Sequence, residues 1–180
     1  LNINIVSAGF DPISKLDEIP NNPKERYKLM TKDMPLGGEL SLDMMYRTCG
    51  TQLNIDYNSE EDFIKKFKVV NSIVPISIAL FANSAIVEKK NSNYLSYRSK
   101  VWQSTSRGGL PKIFFEKLDF ERYAEFIINF PILFIQHENK YISGRQYTFK
   151  DFMDGRISEI GNRLPTETDL TTHLSTIFTE

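Results

Sequence analysis

The chain has 180 residues, 41% of them hydrophobic and 25% charged, with a formal net charge of −1. That is length enough for a real core in one domain, or most of one, with the balance of an ordinary soluble globular protein. Near-neutrality gives no electrostatic reason for nucleic acid or an anionic membrane as partner, and a single cysteine, Cys49, excludes an intramolecular disulfide and reads as a reduced, cytoplasmic setting.

Leu1 to Ala8 reads as a short strand entering the turn-rich Gly9-Phe10-Asp11-Pro12, with no signal-peptide pattern. Breaks at Pro20 and Pro23 leave Lys24 to Asp33 as a short helix on which Tyr27 and Met30 share a face and Arg26 lies on another. A loop through Gly37-Gly38 leads to Asp43–Tyr57, the stretch around which the chain is expected to organise. Its period of two puts Cys49, Thr51, Leu53, Ile55 and Tyr57 on a mostly apolar face. Thr48, Gly50, Gln52, Asn54 and Asp56 fall on the opposite, polar one, so the stretch reads as a strand. Short amides on a sheet face suit the floor of a cleft where a ligand completes their hydrogen bonds; a half-exposed antiparallel strand is the plainer alternative.

Ser59 with Glu60-Glu61-Asp62 marks a helix start. The helix is predicted to run from Glu60 to Ala82, with Phe63, Phe67, Val70, Val74, Ile78 and Phe81 as an apolar stripe and Pro75 as a kink. Its apolar half, Val69 to Ala82, is too short and too interrupted for a membrane span and reads as a core helix. Asn83 to Asn93 is a polar loop in which Lys89-Lys90 is a solvated face. Asp119 starts a second amphipathic helix that Pro131 ends, and Ile132–Ile135 reads as a buried strand paired with Lys140–Ile142. Thr148–Met153 and Thr166–Thr172 are short helices, and Leu174–Glu180 reads as a strand cut off in mid-course, which marks the chain as a fragment.

Phosphate-loop, dinucleotide and zinc spacings are absent from the sequence. His137 and His173 read as structural or exposed, and Cys49 as a small hydrophobe. The arginines carry more. Arg98 lies in Ser-Tyr-Arg-Ser beside Trp102, and Arg26 beside Tyr27. Aromatic and hydroxyl neighbours suit a guanidinium that grips a carboxylate through two hydrogen bonds, and equally suit a packed surface ion pair. Arg47 fits either purpose.

Seven segments together resemble a known family. They are Glu25-Arg26-Tyr27-Lys28-Leu29-Met30, Leu42-Asp43-Met44-Met45-Tyr46-Arg47-Thr48-Cys49, Gln52-Leu53-Asn54-Ile55-Asp56-Tyr57, Ala79-Leu80-Phe81-Ala82-Asn83-Ser84, Leu95-Ser96-Tyr97-Arg98-Ser99 with Trp102, Phe120-Glu121-Arg122-Tyr123 and His173-Leu174-Ser175-Thr176-Ile177-Phe178. In order and spacing they resemble the plant-type glutamate–cysteine ligases. The resemblance implies an α+β, glutamine-synthetase-like fold, with an antiparallel sheet lining the active site and helices behind it. Residues 1–180 would be the central part of one catalytic domain, truncated at both ends.

It also implies ATP and magnesium, with glutamate and cysteine as substrates joined through a γ-glutamyl phosphate. By the same resemblance Arg26, Arg98 and Trp102 bind glutamate, Gln52 and Asn54 face nucleotide and metal, and Glu180 binds metal; no catalytic residue is assigned. The family's upstream glutamate-rich strand has no counterpart here, so the chain alone is expected to be inactive. The cysteines that form regulatory disulfides in plant members have no partners, so no redox switch is expected. Leu133 stands where the family commonly has tyrosine beside the second substrate, which keeps open a different amine. A non-catalytic binding domain or remnant is the other alternative.

Overall fold

The computed structural model describes residues 5–105, 113–138 and 140–178. In chain order its elements are α1 (Glu25–Asp33), α2 (Ser41–Arg47), α3 (Glu60–Leu80), β1 (Ile86–Val87), β2 (Lys90–Asn91), α4 (Tyr97–Gln103), α5 (Ile113–Glu116), α6 (Phe120–Asn129), β3 (Phe134–His137), β4 (Lys140–Ser143), α7 (Phe149–Met153) and α8 (Glu167–Leu174). Helices with two antiparallel strand pairs, β1–β2 and β3–β4, give the α+β class. The chain divides into two compact units: residues 1–21 with 35–106, and residues 22–34 with 107–180.

In the first unit, Ser41, Met44 and Arg47 are the buried residues of α2, three apart and so on one helical face. Phe10, fully buried, and Val101 of α4 belong to the same unit's interior. Backbone bonds lash the 9–12 segment to the end of α2: Asp11 N donates to Arg47 O at 2.8 Å, and Cys49 N to Gly9 O at 3.0 Å. A Cβ at Gly38 would collide with the Ser104 carbonyl, so the backbone of that loop can approach the end of α4 only with glycine there. α3 starts where its acids predict, with Ser59 Oγ accepting from Asp62 N, and continues through Pro75.

The second unit folds around Ile132, Ile135, Phe149, Phe152, Ile157 and Ile160. β3 and β4 form the predicted hairpin, with Ile135 opposite Ile142. Helix starts follow their caps: Asp119 Oδ1 accepts from Arg122 N, and Thr148 with Asp151 and Thr166 with Asp169 make reciprocal capping boxes. α1 joins this unit through its last residue. Asp33 accepts a hydrogen bond from Ser143 Oγ at 3.2 Å, and its carbonyl accepts one from Arg145 Nη1 at 3.0 Å.

Five expectations are corrected. The organising stretch is not a strand: residues 41–47 are helical, Thr48 makes only an isolated bridge to Phe10, and 49–57 run outside any strand. A strand needs neighbours to take its backbone groups, and among the described residues no strand pairs with 49–57. Its apolar face is therefore open, with Leu53 84% exposed and Cys49 exposed. Helix α3, expected in the core, has no buried residue. The Asn83–Asn93 loop contains the β1–β2 hairpin, whose turn residues Glu88 and Lys89 both take positive φ. Residues 5–8 form no strand, and the tail expected as a strand is instead the end of α8 and a turn, Thr176 N donating to His173 O and Ile177 N to Leu174 O. Leu1 to Asn4, Thr179 and Glu180 lie outside the described residues.

Candidate substrate site

Within the first unit the sequence-predicted Arg98 and Trp102 come together. Ser96 caps α4, its Oγ accepting from Ser99 N. Ser84 fixes the next residue from another segment: its Oγ accepts from Arg98 N at 3.1 Å, while its own N donates to Leu95 O. The main chain of Arg98 is thus pinned at the opening of a helix, and the side chain departs in one direction. Its guanidinium carbon sits 5.4 Å from the centroid of the Trp102 ring, within cation–π range. On other sides lie two glycines: a Cβ on Gly50 would be 3.1 Å from Arg98 Nη2, and one on Gly9 would be 3.6 Å from its Cδ. Buried Nε has no hydrogen-bond partner, and among the described residues no carboxylate pairs with this guanidinium. A fixed, planar guanidinium of this kind has the donor geometry that a carboxylate can accept from.

Arg47 has the opposite fate. It is 4% exposed, donates from Nη1 to Asp43 at 3.0 Å and Glu88 at 3.2 Å, and lies 4.5 Å over the Phe10 ring. Those partners make it a structural tie between α2 and the β1–β2 turn. Burial and the Asp43 carboxylate push the nearby Tyr97 phenol up. Sequence reasoning left Arg47 open; its partner Glu88, 41 residues away, carried no local signal.

Gln52 and Asn54 point the same way along their extended segment, since Gln52 Nε2 donates to Asn54 Oδ1 at 2.8 Å, and both are exposed. Arg26 belongs to the second unit. It is exposed on the first turn of α1, with its guanidinium 4.9 Å over Tyr27 and Nη2 donating to the Tyr27 hydroxyl. Glu180, the expected metal ligand, lies outside the described residues. Magnesium takes a near-octahedral shell of hard oxygens. Two amides already bonded to each other do not fit it, and among the described residues no three His, Cys, Asp or Glu side chains converge on a possible metal position.

The remaining candidates are structural. His173 is buried in the second unit, stacked on Phe149 at 4.9 Å, and its Nε2 donates to the Ile127 carbonyl at 2.9 Å. Leu133 is buried at 2% exposure and offers no surface to a second substrate. Two arrangements passed unseen in the sequence. One is the Asp33–Ser143–Arg145 junction. The other is Arg163, which grips Asp169 through two bonds of 2.8 and 2.9 Å while stacking over Phe152 at 4.9 Å. Sequence reasoning singled out neither residue.

The whole chain, residues 1–180, matches the family described as glutamate-cysteine ligase family 2. Over 183 aligned residues it is 42% identical to the chloroplastic glutamate–cysteine ligase A of Oryza sativa subsp. japonica, covering all of this chain and 37% of that protein. The chloroplastic glutamate–cysteine ligase of Nicotiana tabacum is likewise 42% identical, with 35% of it covered, and that of Arabidopsis thaliana 40%, with 35% covered. The chain thus spans little more than a third of the length of these relatives. Their names overturn the cytoplasmic reading: a lone cysteine excludes an internal disulfide but says nothing about which compartment surrounds the protein.

Proposed function

Because the chain belongs to glutamate-cysteine ligase family 2, we propose that it forms part of an ATP-dependent enzyme joining the glutamate γ-carboxylate to the cysteine amine, in the first step of glutathione synthesis. The reading rests on one observation above all: a pinned arginine with no carboxylate partner among the described residues, in a chain whose residues 1–180 all match the family. A plastid setting belongs to the same proposal through the relatives' names.

In this reaction a γ-carboxylate oxygen attacks the terminal phosphorus of ATP and ADP leaves. The cysteine amine then attacks the acyl carbon, the C–O bond to phosphate breaks, and the amine loses its proton as phosphate departs. Anions converge at every stage, so held cations and oriented donors contribute more than a special nucleophile. Arg98, backed by Trp102, holds a carboxylate of glutamate. Gln52 and Asn54 face the nucleotide, and Glu180 would contribute a metal-binding carboxylate. Residues 1–180 are the central part of one glutamine-synthetase-like domain and are inactive by themselves. Leu133, packed inside, lends nothing to a different amine.

The test is ADP release by the complete enzyme encoded by the extended reading frame. Release that requires glutamate and cysteine together supports the assignment. Release that ignores cysteine, or runs faster with another amine, overturns it, and binding of glutamate without any turnover reassigns the protein as a binding domain.

A further inference from the structure

Gly50 stands against the guanidinium of Arg98, and a relay of three hydrogen bonds holds it there. Arg98 N donates to Ser84 Oγ at 3.1 Å. One residue earlier, the Asn83 carbonyl accepts from Gly9 N at 2.8 Å, and the Gly9 carbonyl accepts from Cys49 N at 3.0 Å. The relay thus runs from the main chain of Arg98 to the residue before Gly50 without using the Arg98 side chain. The approach it produces is close. The three heavy atoms nearest to a Cβ on Gly50 all belong to that guanidinium: Nη2 at 3.1 Å, Cζ at 3.5 Å and Nε at 3.6 Å. Such similar distances to three atoms of a planar group put the Cβ over its face, away from the edge where its N–H bonds point. The φ of Gly50 lies outside the left-handed region, so the backbone itself accepts a side chain. What that side chain would meet is Arg98.

We infer that Gly50 is a positioning residue for carboxylate recognition: its bare main chain lets the Arg98 guanidinium lie flat against it, with the N–H edge left to the substrate. The inference rests on the proposed role of Arg98 in holding glutamate. A Cβ at Gly50 makes the guanidinium give way by a few tenths of an ångström. It can, because it is the far end of a flexible side chain, whereas the main chains on both sides are tied together by the relay. The fold therefore keeps its stability and the ligand bears the cost. Two parallel N–H···O bonds need both donors aligned with both oxygens, and hydrogen bonds weaken steeply as their angle closes.

The experiment measures L-glutamate Kd by calorimetry, and ATP KM by ADP release, in the complete enzyme encoded by the extended reading frame. The variants are Gly50→Ala, Gly50→Val, Arg98→Ala and the double variant Gly50→Ala with Arg98→Ala. Gly50→Ala is expected to raise the glutamate Kd about tenfold, and Gly50→Val to raise it further, with ATP KM and unfolding temperature unchanged. In the Arg98→Ala background Gly50→Ala should change nothing, because the group it displaces is gone. Thr51→Ala, one residue along, should bind glutamate as the parent enzyme does. An unchanged glutamate Kd in Gly50→Ala overturns the inference. So does an equal loss of affinity with and without Arg98, or a loss that comes with a lowered unfolding temperature. The catalytic reading fails separately, when the parent binds glutamate and its ADP release does not require cysteine.

Discussion

Replacing Arg98 by alanine separates a ligand-binding arginine from a structural one. Its backbone is anchored through Ser84 and the Ser96 cap, neither of which involves the side chain. What the protein itself loses is the cation–π contact with Trp102, about 0.5–1 kcal/mol for a partly exposed pair. What the ligand loses is larger, because no carboxylate among the described residues competes for the guanidinium. A charge-assisted hydrogen bond contributes roughly 1.5–3 kcal/mol, which raises the glutamate Kd or KM by a factor of about 10–150. Arg98→Lys, keeping charge but losing the planar fork, falls between. The assay is glutamate KM in the complete enzyme, and in residues 1–180 alone the single tryptophan, Trp102, gives a fluorescence signal beside the same side chain. A folded Arg98→Ala protein with unchanged glutamate KM would refute the reasoning and remove Arg98 from the pocket.

Arg47→Met is expected to destabilise the first unit by about 3 kcal/mol, because it strands the partly buried Asp43 carboxylate without its cation. Adding Asp43→Leu should restore most of that loss; urea unfolding followed by Trp102 fluorescence checks both, and a neutral single variant would count against the tie. Phe152→Ala, at a site 1% exposed in the second core, should lower stability by about 3–5 kcal/mol in far-ultraviolet unfolding curves. Acid should also loosen the second unit. Burial by itself would raise the Asp169 carboxyl, but the Arg163 guanidinium and Thr166 outweigh it and hold it below the usual carboxylate range. A depressed folded-state value means the stabilisation is present above the ordinary range, near pH 4, and fades as pH falls through the lower folded value. Asp169→Asn should flatten that part of the stability–pH curve; an unaltered curve would show that the pair does not contribute.

The second unit was largely legible before any fold was known. Asp119, Thr148 and Thr166 start helices through hydrogen bonds made within three residues, and Pro131 ends one by removing a donor, so neither depends on distant chain. The β3–β4 hairpin is equally local, its strands only two residues apart. The family likeness was also legible, since it rests on ordered motifs and not on packing.

What the sequence alone determined was the caps, the breaks, the arginines beside aromatic rings and the family. Tertiary structure decided everything that needs a partner far along the chain: Arg47 bound to Glu88, Arg163 turned onto Asp169, Leu133 packed inside. It also decided between strand and helix at 41–57, where period two and period three compete. Helical bonds close within four residues and form wherever the face Ser41, Met44, Arg47 can be buried. Strand bonds require a neighbouring strand, and 49–57 has none among the described residues.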